Sequence, residues 1–154
     1  NKNLLLLAKI ENNQFQEIET VDLSEIAKDS IDILEDLSIS KEIRIQLSTD
    51  KNVVLECNRT LLEILIHNLC LNAITHSISG SIINITISNN QFFIQNPGDK
   101  ELSQATMFNR FETTGNHETS SGLGLSIVNE ICKRYSWEIN YYFHTNDHQF
   151  VISF

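Results

Sequence analysis

Leu61, Leu65, Leu69 and Ala73 recur every four residues without a break, a pattern that fits a helix opening near Asn58 with one side sealed against a core. A second stripe runs beside it. Asn68, Asn72 and His76 are also four apart, so a polar strip abuts the core-facing one. Asparagine competes for backbone hydrogen bonds and is a mediocre helix former, so two of them in mid-helix ask for a reason. One reason is plain solvent exposure. The other is a ligand: carboxamide oxygens suit a hard cation such as Mg²⁺, which takes one or two protein ligands and the rest from phosphates and water.

Around that helix the hydrophobic period alternates between helical and extended. Residues 1 to 13 read as the tail of an amphipathic helix whose apolar side needs a partner. Asp22 and Ser24 supply helix-start chemistry for a first complete helix carrying Ile26, Ser30, Ile33, Leu34 and Leu37. Strands follow at Ile43/Ile45/Leu47 and Val53 to Leu55. After the central helix, Ile83/Ile85/Ile87 and Phe92 to Ile94 form a hairpin across Asn89-Asn90. A last helix through Leu123, Ile127, Val128 and Ile131 precedes a closing hairpin of Trp137/Ile139/Tyr141/Phe143 and Phe150/Ile152/Phe154. This order predicts an α+β fold, a two-layer α/β sandwich whose mixed, mostly antiparallel sheet has helices on one face.

A chain of 154 residues can bury one core, and nothing in its composition marks an internal linker. The net charge of −9 argues against a nucleic-acid partner, because a phosphate backbone is held by cationic surfaces. Leu4 to Ala8 is too short to cross a bilayer. Cys57, Cys70 and Cys132 lack metal-site spacing and read as buried thiols.

Residues 97 to 121 are rich in Gly, Asn, Thr, Ser and Glu, with Met107, Phe108 and Phe111 as apolar anchors, a composition and length that fit either a functional lid or a disordered segment. At its end Gly122-Leu123-Gly124-Leu125 opens the last helix, where exposed amides and the dipole favour an anion. Close helix packing would also select such glycines. At its beginning Asn96-Pro97-Gly98 reads as a turn, either an ordinary one or one that meets a flat ligand: Asn96 can accept and donate along a purine edge, and Gly98 permits close backbone approach.

In this order and spacing the motifs resemble the ATP-binding domain of sensor histidine kinases and their gyrase, mismatch-repair and chaperone relatives. His67-Asn68-Leu69-Cys70-Leu71-Asn72-Ala73 is similar to the N box, and Phe92 to Gly98 to the first glycine box. Met107-Phe108-Asn109-Arg110-Phe111 resembles the F box, which is more specific to histidine kinases, and Ser121 to Val128 the second glycine box.

The resemblance implies the Bergerat fold, with ATP and Mg²⁺ as cofactors. By it Asn72 is the direct magnesium ligand and Asn68 lies close to metal and phosphates. Asn96 and Gly98 meet the adenine, and His76 takes the place of an aromatic that packs on the base. Gly122, Leu123, Gly124 and Leu125 line the triphosphate, and Arg110 is the lid cation. The reaction implied is transfer of the γ-phosphoryl group to a histidine upstream of residue 1. Residues 1 to 18 then resemble the end of the dimerising, acceptor-bearing helical hairpin, and 19 to 154 the catalytic domain. The implied partners are that hairpin, a response regulator and a second protomer. The implied location is cytoplasmic, with room for an inner-membrane anchor in the full-length protein.

Three positions depart from the pattern: Asn96 stands where the family has aspartate, Lys100 where it has a second glycine, and Thr75 where it often has a basic residue. An uncharged acceptor makes the weaker hydrogen bond, which points to modest ATP affinity. Two rival readings follow, a degenerate nucleotide sensor that signals without catalysis and a serine kinase of the anti-sigma type.

Overall fold

The computed structural model describes residues 2–50, 53–109 and 123–154. Chain order among them is α1 (Lys2–Glu11), β1 (Glu19–Asp22), α2 (Leu23–Ile33), α3 (Glu35–Ser40), β2 (Arg44–Thr49), β3 (Val54–Cys57) and α4 (Arg59–His76). Then come β4 (Ile82–Ser88), β5 (Gln91–Pro97), α5 (Gly124–Tyr135), β6 (Glu138–His144) and β7 (Asp147–Ser153). Five strands form one sheet in the order β2-β4-β5-β7-β6, and β1 and β3 pair separately. Only β2 and β4 run parallel within the large sheet. The mixed, mostly antiparallel plan is therefore observed.

The helices cover one face. Ile83, Ile85 and Ile87 of β4, Phe92, Ile94 and Asn96 of β5, and His148, Phe150 and Ile152 of β7 are buried, while their alternating neighbours are half-buried or exposed. Both hairpins turn at residue pairs with positive φ, Asn89-Asn90 and Thr145-Asn146, the twist that two-residue connections need. Across the sheet α4 packs against α2, α5 and β5. It buries the expected Leu61, Leu65, Leu69 and Ala73 and a second stripe of Leu62, Ile66, Cys70 and Ile74. With large apolar side chains contributing about 1.5–3 kcal/mol each, this helix is the centre of the core.

The structure departs from the sequence reading in two places, one an expected helix and one a strand that the sequence reading did not include. The first complete helix is two, because the chain leaves helical geometry at Leu34 and restarts with Glu35 and Asp36 at the new N-terminus. As a result Ile26, Ser30 and Leu34 are buried while Ile33 is 71% exposed. The other is β1, which carries only Val21 as a buried residue and shows no alternation over its four positions. Its strand state comes from pairing with β3, some thirty residues away.

At the N-terminus, α1 sinks Leu7 and Ile10 into the same core against α5 and leaves Leu5 exposed. Arg134 at the end of α5 donates to Asn13 Oδ1 and to Phe15 O, tying down the connector that follows α1. All three cysteines are buried and free, and burial raises their thiols to about 11 for Cys57 and about 12 for Cys70 and Cys132. That agrees with inert core thiols.

Candidate functional site

The site is laid out from α4 outward. Asn58 starts the helix: its Oδ1 accepts from Leu61 N at 3.0 Å, its Nδ2 donates to Glu17 O at 2.9 Å, and its own N donates to Tyr135 OH at 3.0 Å. This clamps α4 to the segment before β1 and to α5. Further along, Asn68, Asn72 and His76 are all half-buried, on the flank of the Leu61/Leu65/Leu69/Ala73 stripe. They are neither sealed in the core nor fully solvated.

Asn68 looks directly at the start of α5. A side chain added at Gly124 would place its Cβ 3.6 Å from Asn68 Oδ1. Among the described residues the α5 N-terminus has no side-chain cap hydrogen bond and no acidic residue in its first turn. A partial positive charge thus faces a carboxamide at close range. Leu123 precedes it with a fully buried side chain, and Leu125 is half-buried. Here α5 begins at Gly124; Gly122 and Arg110 lie outside the described residues, as do Phe111, Thr119, Ser120 and Ser121. On the other side of Asn68 a groove of about 630 Å³ opens between α1, α2 and α4, with Leu6, Ile26, Ile64 and His67 in its lining.

The donor set fits a magnesium nucleotide. Asn68 and Asn72 offer neutral oxygens from adjacent turns of one helix, enough for a cation that draws its remaining ligands from phosphates and water. Among the described residues no group of three or more His, Cys, Asp or Glu could hold a metal by itself. At the far end of α4, Lys41 Nζ donates to Ile74 O at 2.7 Å and Thr75 O at 3.0 Å, and burial lowers its pKa. That cation answers the helix C-terminus.

Asn96 is not in a turn. It is 4% exposed within β5, opposite His148 of β7, and pairing continues through Pro97 with Asp147. Turn chemistry in Asn-Pro-Gly gives way to the β7 ladder, extended by a bond from Gly98 N to Asn146 O of 2.8 Å. Proline is tolerated here at the strand's last position. Asn96 Nδ2 donates to Pro97 O at 3.2 Å, which turns Oδ1 away from that carbonyl.

Two residues that the sequence reading did not assign to the site lie on this side of the sheet, His148 opposite Asn96 and Tyr141 bonded to His148. His148 is 5% exposed, and its ring occupies the space a side chain at Gly98 would need, with Nε2 2.1 Å from an added Cβ. The flat group that Gly98 admits is therefore the protein's own imidazole. Tyr141 OH lies 2.7 Å from His148 Nδ1 and accepts from Leu102 N at 3.0 Å. The signal was the inward register of residues 148, 150 and 152, visible only once β7 is known to pair with β5.

Known proteins were compared with this geometry in hand. A family described as histidine kinase-, DNA gyrase B-, and HSP90-like ATPase matches residues 57–152. The sensor histidine kinase HprS of Escherichia coli (strain K12) is 29% identical over 160 residues, covering 99% of this chain and 35% of HprS. The heme sensor protein HssS of Staphylococcus saprophyticus is 31% identical over 137 residues, covering 84% of this chain and 30% of HssS. The chain thus spans about a third of the length of these relatives. Among solved structures, the cytoplasmic segment of histidine kinase QseC superposes with a TM-score of 0.78 at 17% identity, covering 99% of this chain and 91% of that one. The nucleotide-free catalytic domain of histidine kinase ThkA gives 0.77 at 22% identity, covering 89% and 94%. At those identities the likeness speaks for the fold.

Proposed function

The chain belongs to the histidine kinase-, DNA gyrase B-, and HSP90-like ATPases, and on that premise we propose that it is the catalytic domain of a two-component sensor histidine kinase. It binds ATP and passes the γ-phosphoryl group to a histidine elsewhere in the full-length protein. The observation that carries this reading is the approach of Asn68 Oδ1 to Gly124 at the uncapped start of α5. A carboxamide strip facing a helix N-terminus suits a triphosphate with its metal. HprS and HssS, named as sensors, support the same reading.

ATP, when bound, supplies the phosphoryl group; positioning and charge balance fall to the protein, as in phosphoryl transfer generally. Asn72 ligates magnesium and Asn68 stays close to the metal and phosphates. The Gly124 and Leu125 amides, with Leu123 beside them, receive phosphate charge. Asn96 meets the adenine at the far end and His76 flanks the base. Gly122 and Arg110, by their positions in the sequence, complete the lid side. No histidine of this chain is assigned as the acceptor.

Residues 1 to 18 are the exit from the acceptor hairpin, and 19 to 154 the catalytic domain. Response regulator, hairpin and second protomer are the partners that this role requires. No described helix is long and apolar enough to cross a membrane.

The test is to incubate the chain with the acceptor hairpin of its full-length protein and ATP labelled at the γ-phosphate. Label on the hairpin that acid removes is the expected result. Acid-stable label would favour a serine kinase, and Mg-ATP binding without transfer a sensor. Asn72→Ala should abolish magnesium-dependent ATP binding while leaving the unfolding midpoint unchanged; retained affinity would remove the metal assignment.

A further inference from the structure

The sheet end beneath the base side of the site holds a histidine that the ATPase reading does not use. His148 and Asn96 are directly opposed in the β5–β7 ladder and face the helices together, at 5% and 4% exposure. Opposed residues on one face have Cβ atoms about 4.5–5.5 Å apart, so imidazole and carboxamide are neighbours. The His148 ring leans over Gly98, into the next inward position along β5. The two groups form one polar floor.

Hydrogen bonding fixes what that floor presents. Tyr141 O accepts from Leu102 N at 3.0 Å and lies 2.7 Å from His148 Nδ1. With the tyrosine donating in that pair, Nδ1 is the acceptor and Nε2 carries the hydrogen of a neutral ring. On the carboxamide, Nδ2 is spent on Pro97 O, leaving Oδ1 as the free acceptor. Among the described residues Ser24 Oγ is the one sealed side-chain polar atom without a partner. His148 Nε2 and Asn96 Oδ1 likewise make no bond among the described residues and neither is fully sealed, with the Nε2–Cδ2 edge of the ring resting against Gly98.

We propose that His148 is a specificity-determining residue: its Nε2–H donates to N1 of the adenine while Asn96 Oδ1 accepts from the 6-amino group. Acceptor beside donor complements the adenine edge and opposes guanine, whose O6 accepts and whose N1–H donates. This rests on the ATP-site reading above and extends it. A donor to N1 offsets the loss of a charged acceptor at position 96. The Tyr141 hydroxyl and Leu102 amide hold the ring in the required tautomer, which joins base recognition to the segment leading into residues 103–109.

The test compares ATP with 1-deaza-ATP, which lacks only the N1 acceptor, by titration calorimetry on the whole chain. Wild type should bind ATP about five- to tenfold more tightly, the worth of one neutral hydrogen bond. In His148→Phe the two nucleotides should bind within about twofold of each other, on the same scale. Equal binding of both by wild type overturns the proposal, as does a gap that persists in the variant. Binding of neither nucleotide by wild type overturns the ATP reading and this proposal with it. Should His148→Phe not fold, nitrogen-15 NMR of wild type decides: an Nε2–H signal that moves with ATP and not with 1-deaza-ATP is expected. An Nδ1–H tautomer, or equal movement with both, overturns it.

Discussion

At the scale of single residues, the chemistry depends on pairs that sit far apart in sequence. Gly98 shows this best, because its lack of a side chain is required by His148, fifty residues later. A methyl group there would meet Nε2 at 2.1 Å and Cδ2 at 2.3 Å, and the ring is held by Tyr141 and cannot swing away freely. Gly98→Ala should therefore cost about 1–3 kcal/mol, the usual penalty for overpacking a filled site. The two positions share the space, so their effects should not add. In a His148→Ala background the same Gly98→Ala change should cost less than about 0.5 kcal/mol, within the scatter of independent sites. Urea unfolding of the four proteins measures this coupling. If Gly98→Ala costs as much in both backgrounds, the glycine is required by something other than the imidazole.

At the scale of elements, α4 is the part on which the rest is hung, and the residue that caps it shows how. Asn58 accepts from Leu61 N, donates from its side-chain amide to Glu17 O, and donates from its backbone N to Tyr135 OH. One side chain thus joins α4 to the chain entering β1, and one peptide joins it to α5. Losing an asparagine cap costs about 0.5–2 kcal/mol, and the part-buried bond to Glu17 O adds about 0.5–1.5 kcal/mol. Asn58→Ala should lose both, and Asn58→Ser, which keeps a capping oxygen, should lose mainly the second. Denaturant midpoints in the order wild type, Asn58→Ser, Asn58→Ala are expected; an equal drop for both variants would show that the cap contributes nothing. Because α4 also carries Asn68 and Asn72, nucleotide affinity should fall only as the unfolded fraction rises.

At the scale of the molecule, what could be read from the sequence was what neighbouring residues decide. The stripe on α4, the Asn89-Asn90 hairpin and the two-layer plan follow from local periodicity and turn chemistry, and all are present. What could not be read was decided by partners far along the chain. Glu19–Asp22 has no strand pattern of its own and is a strand because β3 pairs with it. Asn-Pro-Gly is turn chemistry overruled by β7, and that same pairing brings the unanticipated His148 to the base side of the site. Burial of that histidine has a consequence for the whole fold. Desolvation lowers its pKa from the ordinary 6.5, against a smaller opposing pull from Asp147, and desolvation lowers that of His67 as well. Both rings are thus neutral in the native state over a range where the unfolded chain has protonated them. The unfolded state then binds more protons, so the rings' contribution to stability is complete above pH 6.5 and is lost as pH falls from there toward the lowered native values. Each ring contributes a slope of at most about 1.4 kcal/mol per pH unit in that window. Unfolding midpoints should accordingly be highest at about pH 7, fall below 6.5 as the unfolded chain protonates these rings, and fall again above about pH 8, where the unfolded chain ionises thiols that burial keeps protonated. His148→Phe should reduce the fall without abolishing it, since His67 remains. A variant whose midpoint falls as steeply as wild type would show that His148 is not held neutral by the fold.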